Sequence, residues 1–152
     1  MRIEWPAAVL ALALAAASPA SAGVNVARAV FVERPIETPG GGTARVLEPA
    51  SAVRPGDRVV TVVAWRTAER QPFTITNPLP RAVAWQRSAD GDEQVSVDGG
   101  RSWGRLQSFR LRNGDGSWRQ ARPQDVTHVR WRVPRALASA GSGQLAWSAI
   151  VR

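Results

Sequence analysis

The sequence predicts an all-β protein: an antiparallel, immunoglobulin-like β-sandwich of about 7–9 strands, preceded by an export signal. Three observations carry this. Gly and Pro punctuate the chain after residue 22, and strand-like runs fill the gaps at intervals of roughly 8 to 15 residues. No amphipathic helical period follows the signal. The chain has 152 residues, 44% of them apolar and 21% charged, which suits one globular domain.

Residues 1–22 read as a secretory signal. Arg2 gives a basic start, offset by Glu4, and Ala7 to Ala17 is an unbroken apolar run. Ser18-Pro19 break it, and Ala20-Ser21-Ala22 place small residues where signal peptidase needs them. The run is too short for a membrane-spanning helix, which takes about 20 residues. The expected mature chain starts at Gly23, has no transmembrane segment, and is periplasmic or extracellular. It keeps the net charge of +8, because the signal removes one Arg and one Glu.

Residues 23–43 read as an edge strand, Val24 to Val32, followed by the Gly/Pro-rich connection Pro35 to Gly42. Residues 44–152 read as the sandwich proper. Ala44 to Leu47 is a short strand and Pro55-Gly56-Asp57 a turn. Val59 to Trp65 (VVTVVAW) is apolar on both faces, as a central strand is. Phe73 and Ile75 alternate with Thr74 and Thr76, and Asn77-Pro78-Leu79-Pro80 leaves the ladder for want of N–H donors. Val83 and Trp85 mark the next strand. Gln94 to Val97 and Ser102 to Leu106 read as a hairpin about Asp98-Gly99-Gly100. Phe109 to Arg112 alternates before the turn Asn113 to Gly116. Val126, Val129, Trp131 and Val133 oppose His128, Arg130 and Arg132. Arg135 to Ala140 has room for one helical turn, and Leu145, Trp147, Ala149 and Val151 share a face of the last strand. Six tryptophans follow the signal and are expected mainly in the core, joining two sheets without a disulfide.

The inventory excludes several chemistries. There is no Cys, so disulfides, thiolate metal sites and a thiol nucleophile are out. There is no Tyr and only one His. All 20 basic residues are Arg. Codon usage in a GC-rich genome accounts for that without function; the functional reading is bidentate grip on phosphate or carboxylate.

Val53-Arg54-Pro55-Gly56-Asp57, the apolar strand to Trp65, Thr76-Asn77-Pro78-Leu79-Pro80, Trp85 and the final strand Trp147 to Arg152 together resemble the bacterial conserved-repeat domain of unknown function, number 11 in its series. The likeness covers roughly two thirds of the chain, from about Leu47 onward. It implies an immunoglobulin-like sandwich in a cell-surface or extracytoplasmic protein, without catalytic residues. Such domains are commonly repeated in tandem, whereas one copy is present here. The stretch Asp90 to Arg122 is longer and richer in Arg and Trp than in simple members.

Ser96, Asp98, Gly100 and Trp103 fit the Asp-box pattern S-x-D-x-G-x-[ST]-W, in which a carboxylate caps a turn and an indole packs beneath it. The motif occurs in sialidase-like propellers, but a sialidase needs a tyrosine nucleophile and a propeller several four-stranded blades. The box is therefore expected to be structural. Asp125 precedes His128 by three residues, which on a strand puts them on opposite faces, and no G-x-S-x-G elbow is present. Catalytic residues, metal ligands and cofactors are accordingly expected to be none. Asp90 to Glu93 and Asn113 to Ser117 cluster oxygens but lack the calcium-loop pattern.

The leading expectation is an exported, non-enzymatic protein with a structural or interaction role at the cell envelope; its partner is left unknown, the candidates being an anionic envelope polymer or another surface protein. The alternative is an arginine-rich binder of an anionic envelope polymer or acidic glycan, with Arg110, Arg112, Arg130 and Arg132 as the contact residues. Nucleic acid is not an expected partner, despite interleaved Trp and Arg, because export separates the two. A hydrolase using His128 or an acidic pair is the third reading.

Overall fold

The computed structural model describes residues 23–152; the signal expected at residues 1–22 lies outside them. The chain forms an antiparallel β-sandwich, in which two antiparallel sheets face each other over one core. One sheet has five strands in the order β2-β1-β3-β10-β5: Thr43–Pro49, Val24–Glu37, Arg58–Thr67, Ser142–Val151 and Val83–Ser88. The other has three in the order β4-β9-β6: Phe73–Pro78, His128–Val133 and Gln94–Ser96. A separate two-stranded ribbon joins β7 (Arg110–Arg112) to β8 (Trp118–Gln120). Arg135–Ala138 makes a short helical turn, α1, as the sequence suggests.

The chain's route follows from where apolar residues sit. β3 alternates half-buried and buried residues, so Val59, Thr61, Val63 and Trp65 face the core. β9 does likewise with Val129, Trp131 and Val133, leaving His128, Arg130 and Arg132 outside. β3 pairs with β10 and β4 pairs with β9. Because β3 leads into β4 and β9 into β10, a two-stranded ribbon folds over the core. β5 then joins beside β10 and β6 beside β9. Double-sheet rolls take this route. Core contacts cluster around Val63, Trp65, Ile75, Val129, Trp131 and Trp147.

Several expectations need correction. β1 is an interior strand, flanked by β2 and β3, and not an edge. Its ten register pairs with β3 make residues 23–43 part of the sandwich. β1 also runs on to Glu37 through Pro35. Pairing with β3 stops at Glu33, so beyond it only β2 lies alongside and a residue lacking an N–H is tolerated. Gln94 to Leu106 is not a regular hairpin. β6 pairs with β9, and only an isolated bridge joins Val95 to Gly104. The strand number is as expected: among the described residues the two sheets hold five and three strands, and the separate β7–β8 ribbon adds two more; β6, β7 and β8 have three residues each. Trp65, Trp131 and Trp147 are buried as expected, but Trp118 is 60% exposed.

The Val53 to Asp57 passage is a closed turn. Asp57 accepts a bond from the Arg54 N–H at 2.8 Å and from Arg34 Nη1 at 2.9 Å. Asn77 is buried and its Oδ1 accepts from Arg28 Nε at 2.8 Å, tying β1 to β4 across the sandwich.

Candidate functional site

The Asp box folds as its pattern implies. Asp98 Oδ1 accepts from the backbone N–H groups of Arg101 and Ser102, each at 3.0 Å, and from Ser96 Oγ at 2.7 Å. Asp98 Oδ2 accepts from Ser102 Oγ at 2.5 Å. Ser96 Oγ in turn accepts from the Gly100 N–H at 2.8 Å. The Ser102 hydroxyl first, then the Ser102 amide and the Ser96 hydroxyl, hold the Asp98 carboxyl far below the usual carboxylate range. Gly99 and Gly100 have φ of 79° and 91°, so the loop needs residues without a Cβ there. Trp103 Nε1 donates to Gly100 O at 3.0 Å, closing the loop from beneath. With the amides at 101 and 102 bound to the carboxylate, they cannot pair in a ladder, and the expected returning strand does not form.

Thr127, which sequence reading missed, ties this loop to β9. Its Oγ1 accepts from the Gly99 N–H at 3.0 Å, and its N–H donates to Ser96 O at 2.8 Å. The guanidinium of Arg130 lies 4.4 Å from the Trp103 ring centroid, and Arg130 Nε donates to Gln94 Oε1 at 2.9 Å. His128 meets the Trp103 ring edge-on at 6.3 Å. All these groups hold one another, so the Asp box and the outer face beside it form a structural unit.

The four arginines singled out by charge fall into two places. Arg130 and Arg132 lie on the outer face of β9, where Arg130 is engaged as described. Arg110 and Arg112 lie on the separate β7–β8 ribbon. The candidate hydrolytic pair is not assembled. Asp125 accepts from Arg119 Nη1 and Nη2 at 2.6 and 2.8 Å, while His128 Nδ1 lies 3.0 Å from Thr127 Oγ1. Asp115 caps its own turn by accepting from the Ser117 N–H at 2.9 Å. Among the described residues no three His, Asp or Glu side chains gather in a metal-binding group.

A feature the charge pattern did not reveal is the outer face of the five-stranded sheet. Residues opposite one another in antiparallel strands share a face. Since Val59, Thr61, Val63 and Trp65 point inward, Val60, Val62 and Ala64 point outward. The register sets them in rows: Pro49–Phe31–Val60–Ser148–Arg87, then Ala29–Val62–Ala146, then Ala27–Ala64–Gln144. The centre of this face is apolar and made of small side chains, hence flat. Strand spacing and rise give it on the order of 500 Å², which exceeds a scattering of single exposed apolar residues. No described element covers it. Hollows of about 370 and 360 Å³ flank it, lined at one end by Arg58, Arg87 and Ser148 and at the other by Asn25, Arg66 and Gln144.

Its ends are positive. Arg45 and Arg58 pair with Glu33, the second at 3.3 Å, and Arg87 acts on the same carboxylate through space. The Arg45 hydrogen bond, outweighing the cost of desolvation, lowers the Glu33 pKa. Three guanidinium groups thus surround one carboxylate, and Arg66 stands exposed at the far end.

No helix among the described residues is long and apolar enough to cross a membrane. No protein-family model matches the chain, nor does any curated protein or solved structure.

Proposed function

We propose that this chain is an exported, non-enzymatic interaction protein of the cell envelope, and that it docks a protein partner on the outer face of its five-stranded sheet. The observation that carries the reading is the flat apolar field centred on Val62, half-exposed between positive ends. Burying such a field against a partner removes apolar area from water at about 25 cal/mol per Å². Its positive ends fix the partner's chemistry: an apolar surface edged by carboxylates, which would meet Arg58 and Arg87 at one end and Arg66 at the other. The small-residue layout before Gly23 supports export, and the resemblance to surface-repeat domains supports the envelope as the setting.

The test places a photo-activatable cross-linking residue at Val62, and separately at Thr74 on the other sheet, in the full chain made by its native host. A protein adduct in the envelope fraction from position 62 and none from position 74, on a chain whose N-terminus is Gly23, is the expected result. A cytoplasmic chain retaining Met1, or equal adducts from both positions, would overturn the reading.

A further inference from the structure

We propose that the β7–β8 ribbon is a second binding site, for an acidic glycan, with Trp118 as the stacking platform and Arg110 and Arg112 as the anion contacts. It shares no residue with the docking face and stands independently of it.

The ribbon's register places Arg110 opposite Gln120 and Arg112 opposite Trp118, so these four side chains share one face. Leu111 and Arg119 occupy the other, where Arg119 is consumed by its two-bond pair with Asp125. On the open face, neither Arg110 nor Arg112 has a carboxylate within ion-pair distance among the described residues. Trp118 is 60% exposed, the largest exposure among the large apolar side chains. The Arg112 guanidinium sits 5.5 Å from the Trp118 ring centroid, which orients the indole without burying it.

The platform is held rigid. Gln120 Nε2 donates to the carbonyls of Gln107 and Phe109 at 2.7 and 2.9 Å, and the Ala121 N–H donates to Phe109 O at 3.0 Å. At the tip, the Asn113 N–H donates to Ser117 O at 2.8 Å. An ordered ribbon backbone and an indole already held against Arg112 lose little freedom on binding.

The surroundings select the ligand class. A membrane anchor needs a cluster of apolar side chains to insert, yet Trp118 is flanked by Arg112, Asn113 and Gln120. A pyranose ring offers a C–H face to the indole and hydroxyls to the polar neighbours. Arg110 and Arg112 are two residues apart on one face, about 7 Å, which fits successive anionic groups on a polymer and gives each a bidentate donor. Uronic-acid carboxylates and sugar phosphates share this chemistry.

The experiment is a Trp-fluorescence and sedimentation titration of the full chain with alginate, with a phosphorylated mannan, with neutral dextran, and with phosphatidylglycerol vesicles. Binding to alginate or the phosphomannan, absent for dextran and weakened by salt, is expected. Trp118→Ala and the double variant Arg110→Ala with Arg112→Ala should each weaken it by about tenfold or more. Trp118→Phe should recover part of the loss, and Arg130→Ala with Arg132→Ala should leave binding unchanged. Three results would each overturn the proposal: no binding to either charged glycan, tighter binding to the vesicles, or full binding by Trp118→Ala. Binding lost only at positions 130 and 132 would move the site to β9 and would overturn it equally.

Discussion

Gly143 and Trp65 face each other across β10 and β3, and the indole occupies the space that a side chain at 143 would fill. A Cβ built on Gly143 would lie 2.7 Å from Trp65 Cε2 and 2.9 Å from Nε1. The same indole packs edge-on against Phe73, with ring centroids 5.2 Å apart. Gly143→Ala should therefore lower stability by roughly 1–3 kcal/mol through overpacking, read from chemical denaturation. Trp65→Phe in the same chain should recover part of that loss, since the smaller ring frees the space.

Val62 and Val63 are chain neighbours on opposite faces, and they should respond differently. Val63 is fully buried in the core, so Val63→Ala should cost roughly 1.5–3 kcal/mol, and Val63→Asp should abolish the cooperative melting transition. Val62→Asp should still fold cooperatively with a loss of about 1 kcal/mol, because its side chain is half-buried on the outer face. Circular dichroism during thermal melting distinguishes the two. Equal damage from both aspartates would mean that the outer face is covered.

Asp98 gives a pH signature. Its pKa is lowered in the folded chain and returns to its ordinary value near 3.8 on unfolding. The bonds from Ser102 and Ser96 therefore stabilise the fold fully above that value, and the contribution drains away as the pH falls below it. Asp98→Asn should lower the melting temperature at neutral pH. The gap between variant and parent should narrow from about pH 4 toward pH 2. A constant gap across that range would show that the carboxylate charge is immaterial.

The Arg119–Asp125 pair fastens the ribbon to the turn before β9. Asp125 has its pKa lowered first by the Arg119 hydrogen bonds, so the clasp is intact above the ordinary carboxylate range and loosens in acid. Arg119→Met should speed amide hydrogen exchange at residues 110–120 while leaving exchange in β3 and β9 unchanged. Uniform acceleration through all strands would contradict a local role.

What was legible in the sequence follows the range of the interactions. The Asp box could be read because its bonds span residues 96 to 103 and its geometry is local. The alternation in β9 and the apolar run of β3 gave the buried faces correctly, since one buried face imposes a period of two. Strand neighbours were not legible. β1 pairs with β3 across 25 to 43 residues, and β10 with β3 across 76 to 92, and no local signal encodes such partners. VVTVVAW was legible as an apolar central strand, but the rows its outer face forms with β1 and β10 come from register and were not. The arginines were legible as charge but not as sites. Arg119 and Arg130 are occupied, while Arg110 and Arg112 gain meaning only from Trp118 across the ribbon.

Carbene footprinting of Val60, Val62 and Ala64 tests the docking face most directly. In the isolated chain these residues should label strongly, and labelling should fall when the envelope fraction of the native host is added, with Thr74 on the opposite sheet unaffected. Labelling of the three residues that is unchanged by the envelope fraction would contradict a partner on this face.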